Sequence, residues 1–415
     1  MRRPADPRAA LRALPPGRLA LAVSGGSDSV ALLVLAVEAL GPSRLAAVTV
    51  DHGLRPGSAA EAAAVARLCA RLGVAHAVLR WDGPGGGNLP AEARAARLRL
   101  IGDWAFDAGI ADVALAHTRD DQAETVLMNL GRGSGVDGLS AMPGLRRAHG
   151  VAWWRPFLAV TRSELRAELT RRGIGWAEDP TNADPRFLRP RLRAAGPELD
   201  RLGLTAARMA DLADRMQAVR AVLDDAARAH LAAHVADRHG AARLAPGFFE
   251  GRTETVERAL AGLLRQLTGA RHPPRLADLR RLIAARAGTL GGAVLRPHDG
   301  AFWLFREARA VAGPGVPAAA LWDARCLAEA PPGAPAAARI AALGAEGVLA
   351  LGRQARAGLH PHWRETGLPP AALPGLPGIW ADGALIAAPL ALWPQGWALR
   401  LRPLAVLPPD AGESD

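Results

Sequence analysis

The sequence predicts an α/β protein: a doubly wound parallel sheet, then a mainly helical domain, then a small C-terminal α+β module. Three observations carry that expectation. The run from Leu19 to Ser29 reads LALAVSGGSDS, an apolar strand that breaks into a glycine-rich loop before an apolar helix resumes. Short apolar runs and helical patterns then alternate, the mark of parallel strands with helices on both faces. From about Leu202 helical patterns follow one another without strands between them, which marks a second domain. With 415 residues the chain exceeds one ordinary core, and the expected divisions are 1–195, 196–311 and 312–415.

The loop of Ser24, Gly25, Gly26, Ser27, Asp28 and Ser29 leads the argument. Adjacent glycines let a ligand approach the backbone, and the amides opening the next helix point outward, an arrangement suited to phosphate. The helix Val30–Leu40 stops at Gly41 and Pro42. Leu45–Val50 reads as a second buried strand ending in Asp51 and His52, at the edge where open α/β sheets bind ligands. Ser58 and Glu61 read as a capping box for a helix that ends at Gly73 and contains Cys69, a buried structural thiol.

Val74–Leu79 is expected as a third strand, Pro90–Ala108 as a third helix, and Val113–Ala116 as a fourth strand ending in His117. The stretch His117–Thr125, HTRDDQAET, is then a loop entering a helix, with Asp121 and Glu124 three apart on one helical face. An acidic first turn is also what a helix dipole favours by itself. Arg132–Leu139 is glycine-rich, and Trp153–Leu158 reads as a short strand. Thr161 and Glu164 form another capping box for a helix ending at Gly173, and Trp176–Asp184 is a polar turn before Arg186, Arg189, Arg191 and Arg193.

In the second half, Leu204–Val235, Thr255–Leu267 and Leu276–Ala287 have helical patterns, and Ala293–Phe305 reads as a hairpin about Asp299 and Gly300. His230 and His234 have HxxxH spacing, but Leu231 stands where a zinc protease needs Glu, so a helix face is the reading. After about Val311 the chain is rich in Pro, Gly and Ala. Trp322, Trp363, Trp380, Trp393 and Trp397 argue against full disorder there and for a small, irregular module.

Composition narrows the function. There are 51 basic and 40 acidic residues, net +11, and lysine is absent, so every basic residue is arginine. A compositional bias toward Ala, Gly, Pro and Arg explains which residues are used; the net sign favours an anionic partner. Without lysine a Walker-type GxxxxGK[ST] loop is excluded. Cys69 and Cys326 have neither disulfide-framework nor zinc spacing, which fits a reducing cytoplasm. No signal-peptide pattern and no apolar run of about 20 residues is present, so a membrane partner is not expected.

The string SGGSDS resembles the signature of the ATP-pyrophosphatase, or PP-loop, family, whose members cleave ATP between its α- and β-phosphates. Further stretches are similar to its tRNA(Ile)-lysidine synthetase branch: Val50–Arg55, Glu92–Arg97 (EARAAR), HTRDDQAET from His117, RGSGVDGL from Arg132, RPFL from Arg155 and WAEDPTNAD from Trp176. They cover about the first 195 residues; the last hundred match loosely, chiefly from Gly378. Leu98 stands where the branch usually has Tyr, and Pro190 where it usually has Asn.

The resemblance implies a two-step reaction. ATP adenylates the C2 carbonyl oxygen of the wobble cytidine in the isoleucine tRNA with a CAU anticodon, releasing pyrophosphate; free L-lysine then displaces AMP, and the tRNA reads AUA instead of AUG. It implies ATP binding by Ser24–Ser29, Mg²⁺ on Asp28, Asp121 and Glu124, and transition-state roles for Arg97 and His117. tRNA contacts fall to Arg189, Arg191 and Arg193, and Asp51, Asp120 and Glu178 are open choices for the lysine ammonium. A homodimer is compatible with it. The competing readings are a tRNA sulfurtransferase, which needs reactive cysteine or an iron–sulfur cluster, an ammonia-using synthetase, and a non-catalytic RNA-binding adaptor.

Overall fold

The computed structural model describes residues 6–53, 57–81, 83, 89–178, 184–270, 272–356, 363–402 and 404. Contacts divide the chain into two units, one reaching Arg220 and the other running from Ala221 to Pro408. The first has the expected fold class. After α1 (Pro7–Arg12) come β1 (Leu19–Ala22), α2 (Ser27–Leu40), β2 (Leu45–Asp51), α3 (Ser58–Leu72), β3 (Ala75–Arg80), α4 (Leu89–Asp107) and β4 (Asp112–Ala114). They are followed by α5 (Arg119–Gly131), α6 (Val136–Leu139), β5 (Leu145–Ala148), β6 (Val151–Trp154), α7 (Arg162–Arg171), α8 (Leu188–Ala194) and α9 (Gly196–Arg201).

The sheet order is β3-β2-β1-β4-β6-β5. β1 pairs in parallel with both β2 and β4, so the chain steps outward to β3 and then returns across β1. The strand order reverses between β1 and β4, and the loops leaving their carboxyl ends open into the crevice where such sheets bind ligands. Strand alternation builds two cores. Leu19, Leu21, Leu45 and Ala47 face one side with α2, while Ala20, Ala46 and Val48 face the other with Ile101 and Ala105 of α4.

α2 lies deep in this packing: Val30 through Ala36 are all buried, and α1 and α7 pack against it. Four charged side chains fasten those three helices. Arg8 donates to Glu38 (3.1 Å) and Glu168 (2.9 Å), and Arg172 donates to the same two carboxylates at 2.7 Å each. Glu168→Gln is expected to cost about 1–2 kcal/mol, with the half-exposed Glu38 contributing less. Burial alone would raise the Glu168 carboxyl, but the Arg8 and Arg172 hydrogen bonds outweigh it and hold it below the usual 4.5. A depressed carboxyl stabilises fully above its unfolded value and loses that contribution as pH falls through the depressed one. Thermal melts between about pH 6 and 3 check this; the wild type should lose more stability than Glu168→Gln.

Several boundaries differ from the sequence expectation. Ser58 is the first residue of α3 and not its cap; Gly57, at φ 103°, precedes it and no side chain caps the helix. The Ser58 side chain instead helps the Gly53 N–H to hold the Asp51 carboxyl below its usual range. The Thr161/Glu164 capping box forms as expected, and a second, Thr118/Asp121, opens α5. The Trp153 strand is β6, and β5 joins it as an antiparallel edge. Leu98 packs against the core on the α4 side of the sheet, so replacing Tyr there keeps an apolar contact. Pro190 is the third residue of α8, where a backbone N–H has no intrahelical acceptor, and it therefore costs the helix no bond.

The second unit takes up the later part of α10 (Ala206–His234) and continues with β7 (Val235–Arg238), β8 (Ala241–Leu244), α11 (Thr253–Thr268), α12 (Leu276–Ala285), β9 (Gly288–Leu290), β10 (Ala293–His298) and β11 (Ala301–Arg306). The Asp299–Gly300 hairpin is present, both residues at positive φ, inside a five-stranded sheet β7-β8-β11-β10-β9. The His230 Nε2–H donates to the Phe248 carbonyl (2.8 Å) and the ring packs near that of His234, a packing role. The remaining elements are β12 (Val316–Pro317), β13 (Cys326–Glu329), β14 (Arg339–Ala342), α13 (Gly344–Arg356), β15 (Pro377–Ala381), β16 (Ala384–Ala387) and β17 (Ala398–Leu401). Trp322, Trp363, Trp393 and Trp397 are buried there, which explains how so Pro-rich a segment holds a core.

Candidate active site

The glycine-rich loop sits at the reversal of strand order. The Val23 N–H still bonds the Val48 carbonyl (2.9 Å), so β1 ends in register and delivers the loop rigidly. Gly25 has φ +92°, which a side chain resists, and its carbonyl accepts from Ala177 N–H (2.9 Å). Gly26 differs: its φ is −71°, and a Cβ built on it would meet only the Ser24 hydroxyl, at 3.8 Å. A side chain there would fill the cradle without touching the fold. The Ser29 hydroxyl donates to the Gly26 carbonyl (3.0 Å) and accepts from the Ser24 N–H (3.1 Å), which curls the loop over the start of α2. The Ser27 hydroxyl donates to Asp28 (3.2 Å).

The first turns of α2, α5 and α7 meet at this point, bringing three positive helix ends together. What joins them is Arg162, the first residue of α7, which the sequence reading did not single out. Its Nε donates to Asp28 (3.0 Å), one Nη donates to Asp121 (2.9 Å), and the other lies 3.7 Å from Glu124. Its backbone N–H donates to Asp120 (2.8 Å). Asp121 and Glu124 do share a helical face, as expected, and are only 7% and 6% exposed, so each needs a partner. The second Asp121 oxygen closes the capping box, accepting from the Thr118 N–H (2.8 Å) and hydroxyl (2.9 Å).

Ionisation follows these contacts. Burial pushes the Asp28 carboxyl up, with Arg162 opposing. Burial would do the same to Asp121, but Arg162 and the Thr118 bonds hold it below the usual range. Burial works against the Arg162 charge, yet Asp121 and Asp28 raise it above the ordinary arginine value. Asp121 and Arg162 thus each favour the charged form of the other.

Arg193 makes a forked contact with Glu124, at 2.6 and 3.2 Å, and Arg189 lies 4.0 Å from the same carboxylate. Of the arginines expected on tRNA, these two therefore face the acidic motif. Arg191 is exposed, and its side chain makes no hydrogen bond or ion pair among the described residues. Arg186 is exposed and held by Asp184 (2.6 Å).

His117 follows β4, and Arg155, buried at the end of β6, donates to its Nδ1 (3.3 Å). Arg97 lies on α4 beside His52, whose pKa it helps burial to depress. Each acid considered for the lysine ammonium has a local partner. Asp51 accepts from Gly53 N–H (3.0 Å), Asp120 from Arg162, and Glu178 from Arg166 (3.3 Å) and the Trp176 indole (2.8 Å). Arg166 also reaches the Ser27 hydroxyl (3.3 Å) and lies over Trp176. Residues 179–183 of the WAEDPTNAD motif and 54–56 after Asp51 lie outside the described residues.

Carboxylates are the right donors for Mg²⁺, which takes hard oxygens and prefers one or two protein ligands plus phosphate. The three do not enclose a common point, however, because the Arg162 guanidinium lies among them. No group of three or more His, Cys, Asp or Glu among the described residues is arranged to hold a metal. A site using one carboxylate and ATP phosphates fits this geometry; a cage of all three does not.

Comparison with known proteins gives a consistent result. The PP-loop domain family matches residues 7–199. A tRNA(Ile)-lysidine synthase from Ruegeria pomeroyi is 42% identical over 418 residues, covering 98% of this chain and 95% of that protein. One from Bradyrhizobium sp. is 44% identical over 291 residues, covering 66% and 81%. Another from Bradyrhizobium diazoefficiens is 46% identical over 285 residues, covering 64% and 77%.

Proposed function

The chain belongs to the tRNA(Ile)-lysidine synthase family, and we propose that it joins L-lysine to C2 of the wobble cytidine of the CAU-anticodon isoleucine tRNA through an adenylated tRNA. The observation that carries this reading is the meeting of an open phosphate cradle at Gly26 with the buried Asp121/Glu124 motif at the strand-order reversal.

In the first step the C2 carbonyl oxygen attacks the α-phosphate of ATP; the new C2–O–P bond forms as the bond to the β-phosphate breaks and pyrophosphate leaves. The nucleophile is weak and neutral, so the demand is for charge neutralisation at the phosphates. The amides opening α2 serve the departing pyrophosphate, with Arg166, at the Ser27 hydroxyl, as an added cation. Mg²⁺, held by Asp28 and the phosphates, would supply charge to the same oxygens. His117, oriented by Arg155, and Arg97 are the groups for the activated cytosine. In the second step the lysine amine adds at C2 and AMP leaves with the oxygen. The segment 196–311 and Arg191 are the proposed tRNA surface, and the cytoplasm the compartment; no described helix is long and apolar enough to cross a membrane.

Sulfur transfer is the weaker reading. Burial pushes the Cys69 thiol up to about 11 and the Cys326 thiol up to about 12, the reverse of what a persulfide carrier needs. The reaction divides cleanly in an assay. With ATP and tRNA but no lysine, adenylated tRNA should accumulate and pyrophosphate appear; added lysine should then release AMP and enter the tRNA. Turnover without tRNA, or incorporation of sulfur, would overturn the assignment.

A further inference from the structure

We propose that Arg162 is the resident cation of the acidic crevice, tying Asp28 of the phosphate loop to Asp121 and Glu124 before any ligand arrives, and that Mg²⁺ enters this site only together with ATP. The proposal rests on the functional reading above for the nucleotide and on geometry for the rest.

Two oxygens from separate segments, Asp28 Oδ2 and Asp121 Oδ1, each bond a different nitrogen of one guanidinium at 3.0 and 2.9 Å. A divalent ion bound by both would need the volume that the guanidinium fills. The backbone that carries the guanidinium is fixed as well. Arg162 begins α7, its own N–H is bonded to Asp120, and the preceding Thr161 is locked in a capping box with Glu164. Across 134 positions of sequence, one side chain thus sets the spacing between the loop that takes phosphate and the helix that carries the acids.

Charge gives the same answer. Asp28, Asp121 and Glu124 face Arg162, Arg193 and, at 4.0 Å, Arg189. Three arginines answer these three carboxylates, with Asp120 held at the Arg162 N–H, so the crevice offers a free divalent cation little attraction and would be left positive by it. ATP reverses this, because its phosphates bring more negative charge than Mg²⁺ cancels and supply most of the oxygen ligands. Arg162 is a positioning residue in this scheme: it acts through the two carboxylates it holds apart.

The test is Mn²⁺ binding followed by electron paramagnetic resonance on the full chain, with no tRNA and no lysine. Wild-type protein should show no stoichiometric Mn²⁺ site without ATP and one with it. Arg162→Gln, checked for folding by circular dichroism, should bind Mn²⁺ without ATP at least tenfold more tightly than wild type, and adding Asp28→Asn should remove that site. Arg162→Lys, which keeps a cation, should behave as wild type. A stoichiometric ATP-free site in the wild type would overturn the proposal even if no variant folds, as would a folded Arg162→Gln that gains nothing. Failure of lysidine formation would sink the functional reading and leave this result standing.

Discussion

Gly26→Val is expected to leave the fold intact and to abolish pyrophosphate release. Gly26 already has a backbone conformation open to any residue, φ −71° and ψ 160°, and the added Cβ meets nothing nearer than the Ser24 hydroxyl at 3.8 Å. The isopropyl group would therefore stand where the phosphates must approach the amides of α2. Loss of one such set of donors typically costs about 10²–10³ in rate, and steric exclusion of the phosphate adds to it. The same change at Gly25 would be ambiguous, since φ +92° makes any side chain strained by about 1–3 kcal/mol. Asp28→Ala is less clean for another reason: it also strips Arg162 of a partner. A thermal melt and a pyrophosphate assay on Gly26→Val decide the matter. A folded variant that releases pyrophosphate at the wild-type rate would remove this loop from the phosphate site.

What the sequence made legible was what lies close along the chain. The β1–loop–α2 unit, the alternation up to α7, the Thr161/Glu164 cap and the Asp299–Gly300 turn each depend on residues a few positions apart, so their chemistry shows in a short window. The Thr118/Asp121 cap was missed because Asp replaces the Glu or Gln that signals a capping box, and Ser58 was misread as a cap because it lies one residue inside the helix. β7, β8 and β9 have three or four residues each, too short for a period to declare itself. Arg162 left no trace of another kind. Its partners lie 134 and 41 positions away, and in a chain whose basic residues are all arginine nothing local distinguishes it from Arg166 or Arg171. The resemblance pointed to the three acids; only the fold supplied the cation among them.

The arginines of α8 are expected to separate into two kinds when each is replaced by Gln. Arg191 is exposed and uncommitted among the described residues, so its charge is available to a phosphate. If it makes one contact, Arg191→Gln should weaken tRNA binding and reduce the slope of log affinity against log salt by about 0.7–0.9, with stability and ATP binding unchanged. Arg193 is spent differently, on a forked bond to Glu124. Glu124 is only 6% exposed, and removing the charged donor leaves it poorly satisfied in a place water barely reaches. Arg193→Gln should therefore cost about 2–3 kcal/mol of stability where α5 meets α8, and leave the salt slope as it was. It should also lower turnover, because Glu124 would no longer be held beside Arg162. Salt-titrated tRNA binding and denaturant melts on the two single variants tell these roles apart. An unchanged slope in Arg191→Gln would remove α8 from the tRNA surface, and a reduced slope in Arg193→Gln with unchanged stability would mean that the Glu124 pair opens to let Arg193 reach the RNA.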